Sequence, residues 1–222
     1  MTNTFHGMSA ADVLAYVPHF PSVDAVSVPT AVPISAGAMT SMHTQFGISK
    51  WTNSWVYRFF TVQEKFFFVN FWMSVNGGVG GFWLPSWLSD FSPSNGISAG
   101  DTHLDILPCD FHVYFDAIKA LTGPYSDPTN IPKNEWAVMV MERDRTLHFR
   151  GIESVTETRI DFWDPSGAGL PHDINMSDIV LISLVRYARF NSGELDIQWN
   201  ADNSMVDISA AFTELLFEGA LA

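Results

Sequence analysis

Asp105, Asp110, His112 and Asp116 fall within twelve positions of one another and could together hold a divalent cation. Carboxylates and an imidazole folded around one point would supply the oxygen and nitrogen ligands. Their spacing matches no calcium-binding loop, and an acidic surface produces such runs unaided, so the expectation is a solvated face. His103 and His148 lie in strand-like runs with no Cys or second His at ligand spacing, which predicts ordinary hydrogen-bonded histidines. Glu64, Glu135, Glu142 and Asp144 are the carboxylates on offer for sugar cleavage. That reaction needs two carboxyls facing across a cleft, and nothing in the sequence sets any two opposite. GxSxG, HExxH and a Cys–His arrangement with local support are all missing. Gly77-Gly78-Val79-Gly80-Gly81 follows a helical run, whereas a phosphate loop precedes one, so it reads as a turn. The sequence therefore predicts no catalytic residue, no metal and no cofactor, and a protein that is not an enzyme.

With no chemistry to position, the chain is organised around packing, and Thr61–Phe91 is its centre. Thr61 is an N-cap and Glu64 lies three residues on, which together make a capping box. Val62 to Val75 carries neither Gly nor Pro, so a helix over 62–75 is expected, closed at Asn76-Gly77-Gly78. Phe82-Trp83-Leu84 then reads as a short apolar strand that Pro85 ends or places on an edge. Gln63, Asn70 and Ser74 form a thin polar stripe on the helix. Phe66, Phe67, Phe68, Val69, Phe71, Trp72 and Val75 cover the rest. A helix apolar nearly all round needs cover on more than one side. Two readings satisfy that need. One is a central core helix. The other is a helix with its own sheet on one side and a neighbouring subunit on the other. At about 14 residues it is shorter than the ~20 that span a bilayer.

The composition narrows the partners. Of 222 residues, 47% are hydrophobic and 16% charged, enough for a sizeable core and against wholesale disorder. Phe occurs 18 times and Trp 8 times, so sheets or interfaces must absorb much aromatic surface. A net charge of −13 without a basic run argues against gripping nucleic acid. The single cysteine, Cys109, excludes an internal disulfide framework or a multi-Cys metal site. No Sec-type leader, membrane span, internal repeat or low-complexity tract is visible.

Taken in order, 1–48 reads as an irregular arm interrupted by Pro18, Pro21, Pro29 and Pro33. Residues 49–60 alternate as a strand apolar on both faces and lead into the helix. Ser92-Pro93-Ser94-Asn95-Gly96 breaks the chain. Beyond it, 97–106 reads as a strand pair, Phe111–Leu121 as helix or strand, and Gly123–Asn134 as a loop. Glu135–Met141, Thr146–Ser154 and Thr158–Trp163 read as strands at the ~8–12-residue spacing of a small sandwich or barrel. Ile179–Phe190 reads as one long strand. Leu195, Ile197 and Trp199, then Val206, Ile208, Ala210 and Phe212, alternate as half-buried strands around an Ala201-Asp202-Asn203 turn. Two such strands are marginal alone, and the aromatic helix needs cover. The expectation is a mainly β protein, a sandwich or barrel with one flanking helix. Residues 49–91 and 186–217 would form one domain, with 95–180 inserted as a second small β-domain.

Gly81-Phe82-Trp83-Leu84-Pro85-Ser86-Trp87, behind its capped helix and glycine turn, resembles tail-tip proteins of long-tailed bacteriophages. Ile97-Ser98-Ala99-Gly100-Asp101-Thr102 resembles the opening of their inserted β-domain. Arg186–Phe190, Glu194–Trp199, Val206-Asp207-Ile208 and Phe212-Thr213-Glu214-Leu215 resemble their closing strands. The resemblance covers about 50–217; the Pro-rich arm departs from it. It implies a virion protein of the tail tip or baseplate, similar to distal tail proteins, with a tube-like fold. It further implies a ring of its own copies, six by resemblance, that joins tail tube to hub or tip. Such a protein is made in the host cytoplasm, and DNA passes through its ring as cargo that is not gripped. Phe66, Phe67, Phe68, Phe71 and Trp72 become the subunit-interface candidates. The rival readings are a tail module that binds host glycans through exposed Trp and Tyr, and an enzyme acting on the host envelope.

Overall fold

A computed structural model of the chain describes residues 4–6, 10–18, 20–27, 35–36, 39–40, 50–121, 136–163, 167, 169–191, 193–199 and 205–215. Glu135, the 123–134 loop, the 201–203 turn and most of 28–49, with Pro29 and Pro33, lie outside them. The strands are β1 (Thr4–His6), β2 (Phe20–Ser27), β3 (Ser35–Ala36), β4 (Met39–Thr40) and β5 (Lys50–Phe59). Helix α1 (Val62–Ser74) follows, then β6 (Phe82–Pro85), β7 (His103–Asp105) and helix α2 (Phe111–Leu121). The chain closes with β8 (Trp136–Glu142), β9 (Leu147–Thr156), β10 (Arg159–Trp163), β11 (Ile179–Phe190), β12 (Asp196–Trp199) and β13 (Val206–Glu214). The protein is mainly β, as its strand-rich sequence requires.

The described residues divide into two compact units. One lies within Met1–Val17, Gly80–Ala188 and Leu215–Ala222, the other within Pro18–Val79 and Arg189–Glu214. These boundaries differ from the expected ones in two places. β6 falls in the first unit, because its backbone pairs with β11 from Pro85↔Val185 to Phe82↔Ala188. The irregular arm, in which short extended pieces are expected, supplies β2, which pairs with β5 in the second unit, and β1, which lies parallel to β9 in the first. Pro21 lies in β2, which among the described strands has a partner on one side only, the edge position where Pro is found in sheets.

In the first unit β11, β8, β9, β10 and β7 are antiparallel neighbours in that order. β8 is buried from Trp136 to Val140 and β9 from Leu147 to Ile152, so neither shows the alternation of a sheet with one wet face. Cover comes from two sides. Val13 and Trp83 pack with Ala137, Met139, Leu147, Phe149 and Val185. The segment 111–121, ambiguous in sequence, is helical. Phe111 and Phe115 stand one turn apart and both meet the Trp136 ring, at 6.2 and 5.3 Å between centroids. The FWLPSW stretch is also a packing element. Trp83 meets Tyr187 edge-on at 5.2 Å, and Gly81 is required because a Cβ there would lie 2.4 Å from the Tyr187 ring. Asp90 accepts the Ser86 hydroxyl and the Leu184 amide, which straps 86–91 along β11.

In the second unit β13 pairs with β5 along its length and with β12 at its start. Trp55, Tyr57 and Phe59 of β5 and Val206, Ile208, Ala210 and Phe212 of β13 are all buried on one face. Arg58 and Asp207, directly opposite each other, point the other way and form a two-pronged ion pair at 2.7 Å per bond. Phe68 is the most deeply buried side chain of α1. It is fully buried, with ring centroids 4.7 Å from Tyr57, 5.5 Å from Phe59 and 6.2 Å from Phe190. Burial pushes the Tyr57 phenol well above its usual pKa, since the charged form would be desolvated. Deleting Phe68 should therefore leave a hole in this box. Phe68→Ala is expected to cost about 3–5 kcal/mol in urea unfolding, while Phe67→Ala, one residue away, stays within about 0.5 kcal/mol.

Candidate interaction surface and a histidine–carboxylate cluster

The start and end of α1 are set as the sequence requires. The Thr61 hydroxyl accepts from the Glu64 amide at 3.1 Å, and the Glu64 carboxylate accepts from the Thr61 amide at 3.2 Å. At the other end Asn76 and Gly77 take positive φ, 54° and 62°, and the Gly77 amide donates back to Trp72 O at 2.9 Å. These fixed ends, with Phe68 as the inward anchor, decide which side chains face out. Of the five interface candidates, Phe68 is corrected to a core residue. Phe71 and Trp72 are half-buried, and the Trp72 ring lies against Gly77, where a Cβ would approach to 3.0 Å. Phe66 and Phe67 are exposed, at 53% and 55%.

On α1, Val62, Phe66 and Met73, with half-buried Val69 among them, follow the i, i+4, i+7, i+11 spacing of one continuous helix stripe. Val62 and Met73 are more than half exposed, as is Phe60 just before the cap. The polar stripe of Gln63, Asn70 and Ser74 separates this edge from Phe67. The Lys65 ammonium lies 4.6 Å from the Phe66 ring centre and 4.4 Å from that of Trp199. β12, which carries Trp199, is exposed throughout and pairs only with β13 among the described strands, so Ile197 and Trp199 are not half-buried as their alternation suggested. The second unit thus presents a stripe of large apolar side chains on α1 that its own core does not use.

The first unit holds a different arrangement. The β8–β9 hairpin turns at Arg143-Asp144-Arg145, with Arg145 at φ 70° and the Arg145 amide bonded to Glu142 O at 2.8 Å. Thr146 faces Glu142, so His148 is the diagonal neighbour of Glu142 on the same face, within reach of a long side chain. His148 Nε2 lies 2.6 Å from Glu142 Oε1. His172 enters from the loop after β10 and places its own Nε2 2.9 Å from the same oxygen. That loop is pinned on both sides: Leu170 and Gly100 exchange a 2.8 Å bond, Ile174 and Ile97 exchange two, and Asp173 accepts the Ala99 amide. His148 is fully buried and His172 half exposed. Desolvation lowers the His148 pKa, against the pull of Glu142.

Comparison with protein-family models and with curated proteins finds no match to this chain.

Among the described residues, Asp105, Asp110, His112 and Asp116, weighed as cation ligands but expected to be a solvated face, do not form a group close enough to hold an ion. Asp105 lies in β7 opposite Arg159, His112 is bonded to Cys109 O at 3.0 Å, and Asp116 is exposed on α2. Among the described residues the group close enough to hold an ion is Glu142, His148 and His172, whose donor atoms all lie within 4.8 Å of one another. Sequence reasoning weighed His148 and Glu142 separately and did not reach His172. Their separation in the chain matches no ligand spacing, and only the pinned loop brings His172 in. Gly169 is the residue that lets this loop pass. Its φ is +60°, and a Cβ there would lie 2.3 Å from the Gly100 backbone. Gly100 has φ +83° with open space around it. Gly100→Ala is expected to cost the ~1–2 kcal/mol of a left-handed non-glycine residue. Gly169→Ala should cost clearly more in thermal unfolding, because backbone must also move.

Proposed function

We propose that this chain is a structural subunit of a phage tail tip, which closes into a ring through α1 and joins tail tube to tip. The apolar stripe Val62–Phe66–Val69–Met73, on a helix already anchored by Phe68 on its opposite side, carries this reading. A well-capped helix has no need of these residues for its own formation. Their burial against another copy would contribute roughly 1.5–3 kcal/mol each, whereas left in water they form an aggregation-prone patch. A repeated head-to-tail contact that closes on itself gives a ring, and the resemblance of the FWLPSW stretch and closing strands to distal tail proteins makes six copies the expected number. The net charge of −13 supports a channel that repels passing DNA. Less supports the glycan-binding alternative, because Trp199 already carries the Lys65 ammonium over its ring.

Phe66→Ser and Met73→Ser proteins should be folded by near-ultraviolet circular dichroism yet run as monomers by light scattering, at concentrations where the wild type is a closed oligomer. Phe68→Ser should unfold. Wild-type assembly by both outward variants would place the interface elsewhere and remove the basis of this reading.

A further inference from the structure

We propose that Glu142, His148 and His172 bind a divalent transition metal, zinc foremost, with one position left open to water. Both imidazoles aim Nε2 at a single carboxylate oxygen, at 2.6 and 2.9 Å. The two nitrogens already share one carboxylate oxygen, so an ion entering among them would find all three donors at hand, and three protein ligands plus water is the zinc arrangement that keeps an open position. In a tetrahedral site with ~2.0–2.1 Å bonds the donor atoms stand about 3.3 Å apart. Here all three lie within 4.8 Å, so the side chains need to move by less than a bond length to admit an ion.

The surroundings fit as well. His148 is rigid within β9 and Glu142 is set by the hairpin, while half-exposed His172 leaves a path for the ion to enter. Two imidazoles and one carboxylate favour zinc and its transition-metal neighbours over calcium or magnesium, which prefer oxygen shells. Arg150, on the same face of β9, is the cation the site must tolerate; its guanidinium is drawn to Phe149 O and Gly169 O. The bound ion would clip the 169–174 loop to the hairpin. This inference uses none of the residues that carry the ring proposal, and each can fail without the other.

The test uses the full, untagged chain after dialysis against a chelator. Titration with zinc chloride in a calorimeter should show one ion per chain and a raised Tm, with excess magnesium failing to compete. Cobalt(II) should give the intense visible absorption of a four-coordinate site. His172→Ala and Glu142→Gln change exposed or partly exposed groups, so they keep the fold. They should weaken zinc binding by more than the roughly 10–100-fold that loss of a mere outer partner causes, and abolish the cobalt spectrum. No uptake by the wild type, or unchanged uptake by His172→Ala, overturns the proposal.

Discussion

Phe68 fixes the orientation of α1, and much else follows from that one docked ring. The box of Tyr57, Phe59 and Phe190 accepts a single aromatic side chain from the helix. With that contact made, helical geometry leaves no freedom over the rest: Val75 turns inward two turns later, and Val62, Phe66 and Met73 turn outward. A different anchor residue would have rotated the same apolar helix and hidden a different stripe. The box is dry enough that the Tyr57 hydroxyl has no hydrogen-bond partner among the described residues. Such a site tolerates a ring and resists polar substitution.

The two units show two uses of the same β-rich material. In the second, a half-buried sheet is closed by one helix, and the surplus apolar surface is carried outward. In the first, strands β8 and β9 are covered on both faces, which brings polar groups into the interior that must then find partners. His148 and Arg150 are the outcome. His148 is bonded to Glu142 across the hairpin, with His172 on the same carboxylate oxygen, and Arg150 donates to the Phe149 and Gly169 carbonyls.

Local signals in the sequence were accurate where the physics is local. The Thr61–Glu64 capping box, the Asn76-Gly77 stop and the alternation of Val206–Phe212 all appear as their residues dictate. Phe111–Leu121 was undecidable because its aromatic residues suit either element, and packing on Trp136 settles it as helix. The single apolar anchor on α1 was not legible. Seven large apolar side chains competed for the inward position, and only the shape of the box selects Phe68. The histidine cluster was out of reach for a further reason. Its third member arrives through a loop whose path depends on Gly169 passing the Gly100 backbone, and no spacing rule encodes such an encounter.

The central claim is that the outward stripe of α1 is covered by another copy of the chain. Sedimentation of the purified wild-type protein over a wide concentration range tests it most directly. The account predicts one closed species of fixed copy number that dissociates to monomer only on dilution. A monomer that stays soluble at every concentration would contradict it.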